Sequence, residues 1–183
     1  MGTCTAFEGS RRIASGDVSH VALKVKEVVD RGGQETVLVF DDDTSQLVEL
    51  DLRGTAGDVM ARLRPAEDAA PRRGRPRLGV VAREVTLLPR HWEWLAGQPG
   101  GASVALRKLV EHASRANQSA DRIRIARESA YRFLSAMAGN LPGFEEATRA
   151  LFGGNRERFD QETAAWPPDV RDHARKLAAA SFA

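Results

Sequence analysis

The sequence predicts an α+β protein in four parts: a small ββαββα unit over 1–64, a basic linker over 65–77, a strand–helix–helix unit over 78–117 and an all-helical region over 118–183. Three observations lead to this division. Runs rich in valine and leucine, of strand length, occur before residue 54 and again within 78–88. The segment PAEDAAPRRGRPR carries no aromatic or large aliphatic side chain and so cannot help to build a core. From Ser119 onward, apolar residues recur at helical spacing.

Within the first part, Thr5-Ala6-Phe7 reads as a strand that turns at Glu8-Gly9-Ser10 and returns through Arg11-Arg12-Ile13-Ala14. Val18, Val21, Ala22, Val25, Val28 and Val29 then trace one helical face behind an Asp17 cap, with Gly32-Gly33 where a helix ends in a left-handed residue. That stripe outweighs the poor helix propensity of valine. Thr36 to Phe40 is a compact strand, Asp41-Asp42-Asp43-Thr44 a turn, and Leu50 and Leu52 alternate with charge in a half-buried fourth strand. The three aspartates are read as turn formers, because adjacent side chains diverge and no further oxygen ligand stands at a diagnostic spacing. Thr55 with Asp58 opens a short helix through Val59, Met60 and Leu63 that Pro65 stops.

Leu78 to Leu88 is strand-like around Val80-Val81 and Val85 to Leu88, and Pro89 stands where a first helical residue tolerates it. Trp92, Leu95 and Ala96 mark the buried face of a helix that breaks at Gln98-Pro99-Gly100-Gly101. A second helix, capped by Ser103 or Gly101, carries Leu106, Leu109, Val110 and Ala113. Trp92 and Trp94 read as core or dimer-interface anchors. Further on, Ile123, Ala126, Ala130, Phe133, Leu134 and Met137 line a long helix ended by Gly139 and Leu141-Pro142-Gly143. A helix from Phe144 to Phe152 and two short ones around Phe159 and from Pro168 follow. Tyr131 and Arg132 could lie at a site, but a lone tyrosine on an amphipathic helix reads as packing with its hydroxyl at the surface.

Composition is that of an ordinary globular chain, 42% hydrophobic and 28% charged. No apolar run approaches the ~18 residues that span a bilayer. MGTCTAFEGSRR lacks a charged segment followed by an apolar one, so no signal peptide and a cytoplasmic location are expected. Cys4 is alone, and His20, His91, His112 and His173 have no zinc spacing, so neither metal nor cofactor is expected.

The formal net charge of +2 hides an uneven distribution. Residues 65–127 hold twelve Lys and Arg against six Asp and Glu, while 1–64 hold eight against eleven. Arg72, Arg73, Arg75, Arg77, Arg83 and Arg90 face only Glu84 within 71–90, an excess that attracts a polyanion. The core Arg73-Gly74-Arg75-Pro76, flanked by Arg72 and Arg77, resembles an AT-hook. That resemblance implies an extended peptide whose arginines enter the narrow minor groove of A·T-rich duplex.

The short strand ending in Leu88-Pro89, the aromatic and leucine anchors, the glycine turn and the leucine-rich second helix with Arg107 and Lys108 resemble the ribbon-helix-helix family. The resemblance implies a homodimer whose two strands pair into a ribbon for the DNA major groove, with a phosphate held by the backbone N–H groups of Ala102, Ser103 and Val104. The groove-facing set is Arg83, Val85 and Leu87 in one register or Glu84 and Thr86 in the other, and Arg83, at the strand start, can reach either phosphate or guanine. Over nearly the full length, the chain also resembles a bacterial family of uncharacterised proteins, with GRPRLGVVAREVTLLPRHWEWL and AYRFLSAMAGNLPGFEEATRALF as signatures.

No glycine-rich phosphate loop, nucleophile beside a base or H-E-x-x-H spacing is present. His91 with Glu93, and Glu111 with His112, lack a third member. The expectation is therefore a DNA-binding dimer without catalysis or membrane contact. The alternative is a dimerisation or protein-interaction protein that leaves DNA alone.

Overall fold

The computed structural model describes residues 2–33, 35–64, 79, 81 and 83–183. These residues form a mixed α+β fold with seven α-helices and one three-stranded antiparallel sheet. The chain divides into two compact units, residues 1–64 with 120–183, and residues 65–119.

In the first unit the sheet order is β2-β1-β3, from β1 (Thr3–Glu8), β2 (Arg11–Asp17) and β3 (Val37–Asp41). The β1–β2 turn places Gly9 at φ +54°, a left-handed position suited to glycine. A register shift between Ala6 and Phe7 marks a bulge. Alternation along the strands sorts the residues. Cys4, Ala6 and Val39 enter one core with Val21 and Val25, whereas Phe7 and Phe40 enter another with Phe133, Leu134, Leu151 and Val170.

Helix α1 (Val18–Asp30) begins as expected, with the Asp17 carboxylate accepting from the Ser19 amide at 2.8 Å. It ends with the Gly33 amide donating to Val28 O at 3.1 Å and Gly32 to Val29 O at 3.0 Å, Gly32 sitting at φ +74°. Helix α2 (Ala56–Leu63) has a full capping box between Thr55 and Asp58 and buries Val59.

The fourth strand of the expected ββαββα order does not form. Leu47 makes an isolated bridge to Phe40 and Val48 N donates to Val39 O at 2.8 Å, after which the chain leaves the sheet. Its backbone finds another partner: the Arg62 guanidinium donates to the carbonyls of Asp51, at 2.9 Å, and of Arg53. Leu50 and Leu52 still pack on the α1-side core, which explains the strand-like alternation. The aspartate turn is observed: Asp41 Oδ1 accepts from the amides of Asp43 and Thr44 and from the Thr44 hydroxyl, at 3.1, 2.8 and 2.7 Å. These bonds, the Thr44 hydroxyl first, hold the Asp41 carboxyl below its ordinary range.

Helix α4 (Gly101–Met137) is one uninterrupted element, so the two helices expected on either side of residue 118 are continuous. The stretch Ser114 to Ala120 holds no glycine or proline to stop it. Residues 1–64 and 118–183, read from the sequence as an α+β domain and a helical region, are held by a shared core. Helices α5 (Phe144–Gly153), α6 (Arg156–Glu162) and α7 (Pro168–Ala178) complete that layer. The Trp166 indole N–H donates to Pro142 O at 2.8 Å and ties the α6–α7 connection to the loop before α5.

In the second unit, α3 (Pro89–Ala96) starts at Pro89 and is followed by the first turns of α4. Residues 79, 81 and 83–88 form no β-ladder with a described residue. Leu95 and Ala105 are its buried apolar residues among those described.

Candidate functional site

The centre of the second unit is an open groove of about 560 Å³ lined by Arg83, Glu84, Val85 and Thr86 on one side and Trp92, Ala102, Ser103 and Leu106 on the other. The geometry follows from local sequence. Leu88 is extended at φ −66°, ψ 149°, and Pro89 takes the first helical position. Gly100 and Gly101, both at positive φ, reverse the chain so that α4 starts beside the extended segment. Ala102, Ser103 and Val104 are in the first turn of α4, where amide N–H groups have no carbonyl one turn earlier.

Arg83, Glu84, Thr86, Arg90, Ser103 and Arg107 are exposed, and Ala102 and Val104 half-buried. Arg83, Arg90, Arg107 and Lys108 enter no ion pair with a described residue, so their charge is available to an external anion. Arg107 folds back, its Nε donating to Ser103 O at 3.2 Å on the same helix. The structure thus brings Arg83, Glu84 and Thr86 together with Ala102 and Ser103. Both strand registers are represented in the groove wall, since residues 83 to 86 all line it. The arm residues Arg72, Arg73, Gly74, Arg75, Pro76 and Arg77 lie outside the described residues, as do positions 78, 80 and 82 of the expected strand.

Sequence reasoning missed how much apolar surface this unit exposes. Val85, Leu88, Trp92, Trp94, Leu109 and Val110 are all exposed, Val110 at 66%. A signal was present in the spacing. Trp92 and Trp94 are two apart on a helix, on nearly opposite sides of it, so one buried face cannot hold both.

The considered catalytic pairs do not assemble. Glu111 engages Arg115, and His91, Glu93 and His112 are exposed without a hydrogen bond to one another. Burial, with Asp42, Asp17 and Asp41 nearby, pushes the Cys4 thiol up to about 11, so it stays protonated and unreactive. Tyr131 stacks edge-on with Phe152 at 5.6 Å, and Arg132 donates to Thr44 O at 2.7 Å, both structural contacts. Among the described residues no group of His, Cys, Asp and Glu is placed to hold a metal, and no helix is long and apolar enough to cross a membrane.

Residues 3–178 match the model of a family described as an uncharacterized protein conserved in bacteria, DUF2239. The chain belongs to DUF2239. The match spans residues of both units of this DUF2239 chain. No curated protein and no solved structure matches this DUF2239 chain.

Proposed function

We propose that this protein is a dimeric DNA-binding factor, a transcriptional regulator or nucleoid-associated protein. In this reading, residues 83–88 of two copies pair as an antiparallel ribbon for the major groove, and the basic arm before them adds minor-groove or phosphate contacts. One observation carries it. Residues 83–88, exposed except for half-buried Leu87, form no β-ladder with a described residue, and 83–86 stand beside the N-terminus of α4. An extended segment with open backbone groups calls for a partner strand, and a helix N-terminus next to Arg83 suits a phosphate. The uncompensated charge of Arg83, Arg90, Arg107 and Lys108 supports the same reading.

The exposed apolar residues of the unit favour a second reading as well, a dimerisation or protein-interaction role without DNA. A mobility-shift titration of the full chain separates the two. The expected result is a complex with mixed-sequence and A·T-rich duplexes at 50 mM salt that weakens steeply by 200 mM, with a slope near −0.9 per phosphate contact. Arg83→Ala is expected to weaken binding by roughly tenfold. A stable dimer that shifts no duplex at low salt overturns DNA binding and leaves the second reading. A monomer that shifts no duplex overturns DNA binding and the dimerisation role, and leaves only interaction with a different protein.

A further inference from the structure

The two edges of the sheet are treated differently. On β2 the Arg12 amide is taken by Asp169 Oδ2 at 2.9 Å, and Arg11 and Arg12 add charge, which are the usual ways of blunting an edge. On β3 the edge is open. Thr36 O accepts from Gly9 N and Asp42 N donates to Thr3 O, so alternate residues Thr36, Leu38, Phe40 and Asp42 face β1, while Val37, Val39 and Asp41 face outward. Asp41 is satisfied by Gln46 and Ser45, and Val39 O by Val48 N. The Val37 N–H and C=O and the Val39 N–H have no backbone partner among the described residues.

Where the return arm leaves β3 after Val48, it opens an elongated groove of about 650 Å³. Val25, Val28 and Val29 of α1 form one wall and Leu50 and Leu52 the other, with Val37 and Val39 beside them. Val25, Val28 and Val39 are buried at its floor, while Val29 is 51% and Leu47 57% exposed and Val37, Leu50 and Leu52 are half-buried, so the accessible apolar surface is that of these last five. Two carboxylates also line the groove. Glu35 precedes the open stretch of β3 and Glu49 follows the last bond of the return arm, and neither enters an ion pair with a described residue.

We infer that this groove is a docking site for a short extended peptide segment of a partner protein, added antiparallel to β3, with alternate aliphatic side chains facing α1 and basic residues at its ends. The open amide and carbonyl of Val37 supply the two hydrogen bonds that an antiparallel strand exchanges with one facing residue. The valine and leucine walls take that residue's side chain and the one two positions on. The unpaired Glu35 and Glu49 select cationic flanks. They also argue against a second copy of this chain, because edge-to-edge pairing of two β3 strands gathers four carboxylates in one place. The site lies within the sheet unit and does not depend on the DNA-binding reading.

The test uses ¹⁵N-labelled full-length protein and three probes: acetyl-Lys-Val-Thr-Val-Lys-amide, its Glu-ended analogue, and the Lys-ended peptide with both valine amides N-methylated. The expected result is saturable movement of the Val37 and Val39 amide signals by the first peptide, at least tenfold weaker for the other two. The variant Glu35→Gln/Glu49→Gln, at two exposed positions, is expected to keep the fold and lose the preference for Lys over Glu ends. Absence of saturable movement at millimolar peptide overturns the proposal. So does equal binding of the N-methylated peptide, since that reduces the effect to charge and apolar contact without strand addition.

Discussion

The imidazole of His173 lies 4.6 Å, centroid to centroid, from the ring of Phe133, and 5.4 Å from that of Phe7. It is 2% exposed, and its Nε2 has no hydrogen-bond partner among the described residues. Burial, reinforced by Lys176 and only partly opposed by Asp42, pulls its pKa down to about 4. The native state thus holds a neutral imidazole where the unfolded chain protonates at its ordinary value. The unfolded state binds more protons between those two values. Stability is therefore full above about pH 6.5 and falls as pH drops toward 4, by an amount on the order of 3 kcal/mol from this residue. His173→Leu is expected to flatten that slope specifically. Urea midpoints measured from pH 7.5 to 4.5 check it, and parallel curves for the two proteins refute it.

Trp166 is buried at 2% exposure and its indole donates to Pro142 O. Trp166→Phe removes the donor, leaves the carbonyl of exposed Pro142 to water and opens a small void, for an expected loss of about 1–3 kcal/mol. Trp166→Ala is expected to cost at least as much. Thermal unfolding of both variants, compared with the parent, gives the measurement.

The parts of this fold that were legible in the sequence are those set by local chemistry. Asp17 and Gly32-Gly33 bracket α1, Thr55 with Asp58 opens α2, and the aspartate turn bonds to its own backbone, each within a few residues. The illegible parts are long-range. Leu50 and Leu52 alternate like a strand, but Arg62, eleven residues after Asp51, takes the carbonyls that a neighbouring strand would have used. Phe7, Phe40 and Phe133 meet with centroids 5.1 to 6.2 Å apart, and no spacing in the sequence announces that they share a core. Of the candidate site, the proximity of Arg83 to Ala102 and Ser103 was readable from the proline and glycine positions. The open edge at Val37 was not, because it exists only where an expected strand failed to continue.

A buried polar pair joins the aspartate turn to α4. Ser45 and Ser129 are each 3% exposed, with hydroxyl oxygens 2.8 Å apart, and Ser45 holds φ +52°. Ser129→Ala leaves the Ser45 hydroxyl without its partner and is expected to cost about 1–2 kcal/mol. In the double variant Ser45→Ala/Ser129→Ala neither hydroxyl remains to be unsatisfied, so the loss is expected to fall short of the sum of the single losses. Denaturant titrations of the four proteins give the coupling, and strict additivity rules it out.

The second unit makes the sharpest demand on its surroundings. Leu95 and Ala105 are its buried apolar residues among those described, while Trp94 is 55% and Val110 66% exposed. A partner surface over these exposed residues would add to that burial. On the proposed reading that partner is a second copy, placing Trp94 and Val110 at or near the shared face. Trp94→Glu and Val110→Glu, at positions already exposed in one chain, are then expected to leave helix content unchanged while weakening self-association by tenfold or more, about 1.4 kcal/mol per tenfold. Sedimentation equilibrium over a micromolar range reads the effect. A parent protein that stays monomeric throughout that range removes the basis for a paired ribbon, whatever its affinity for DNA.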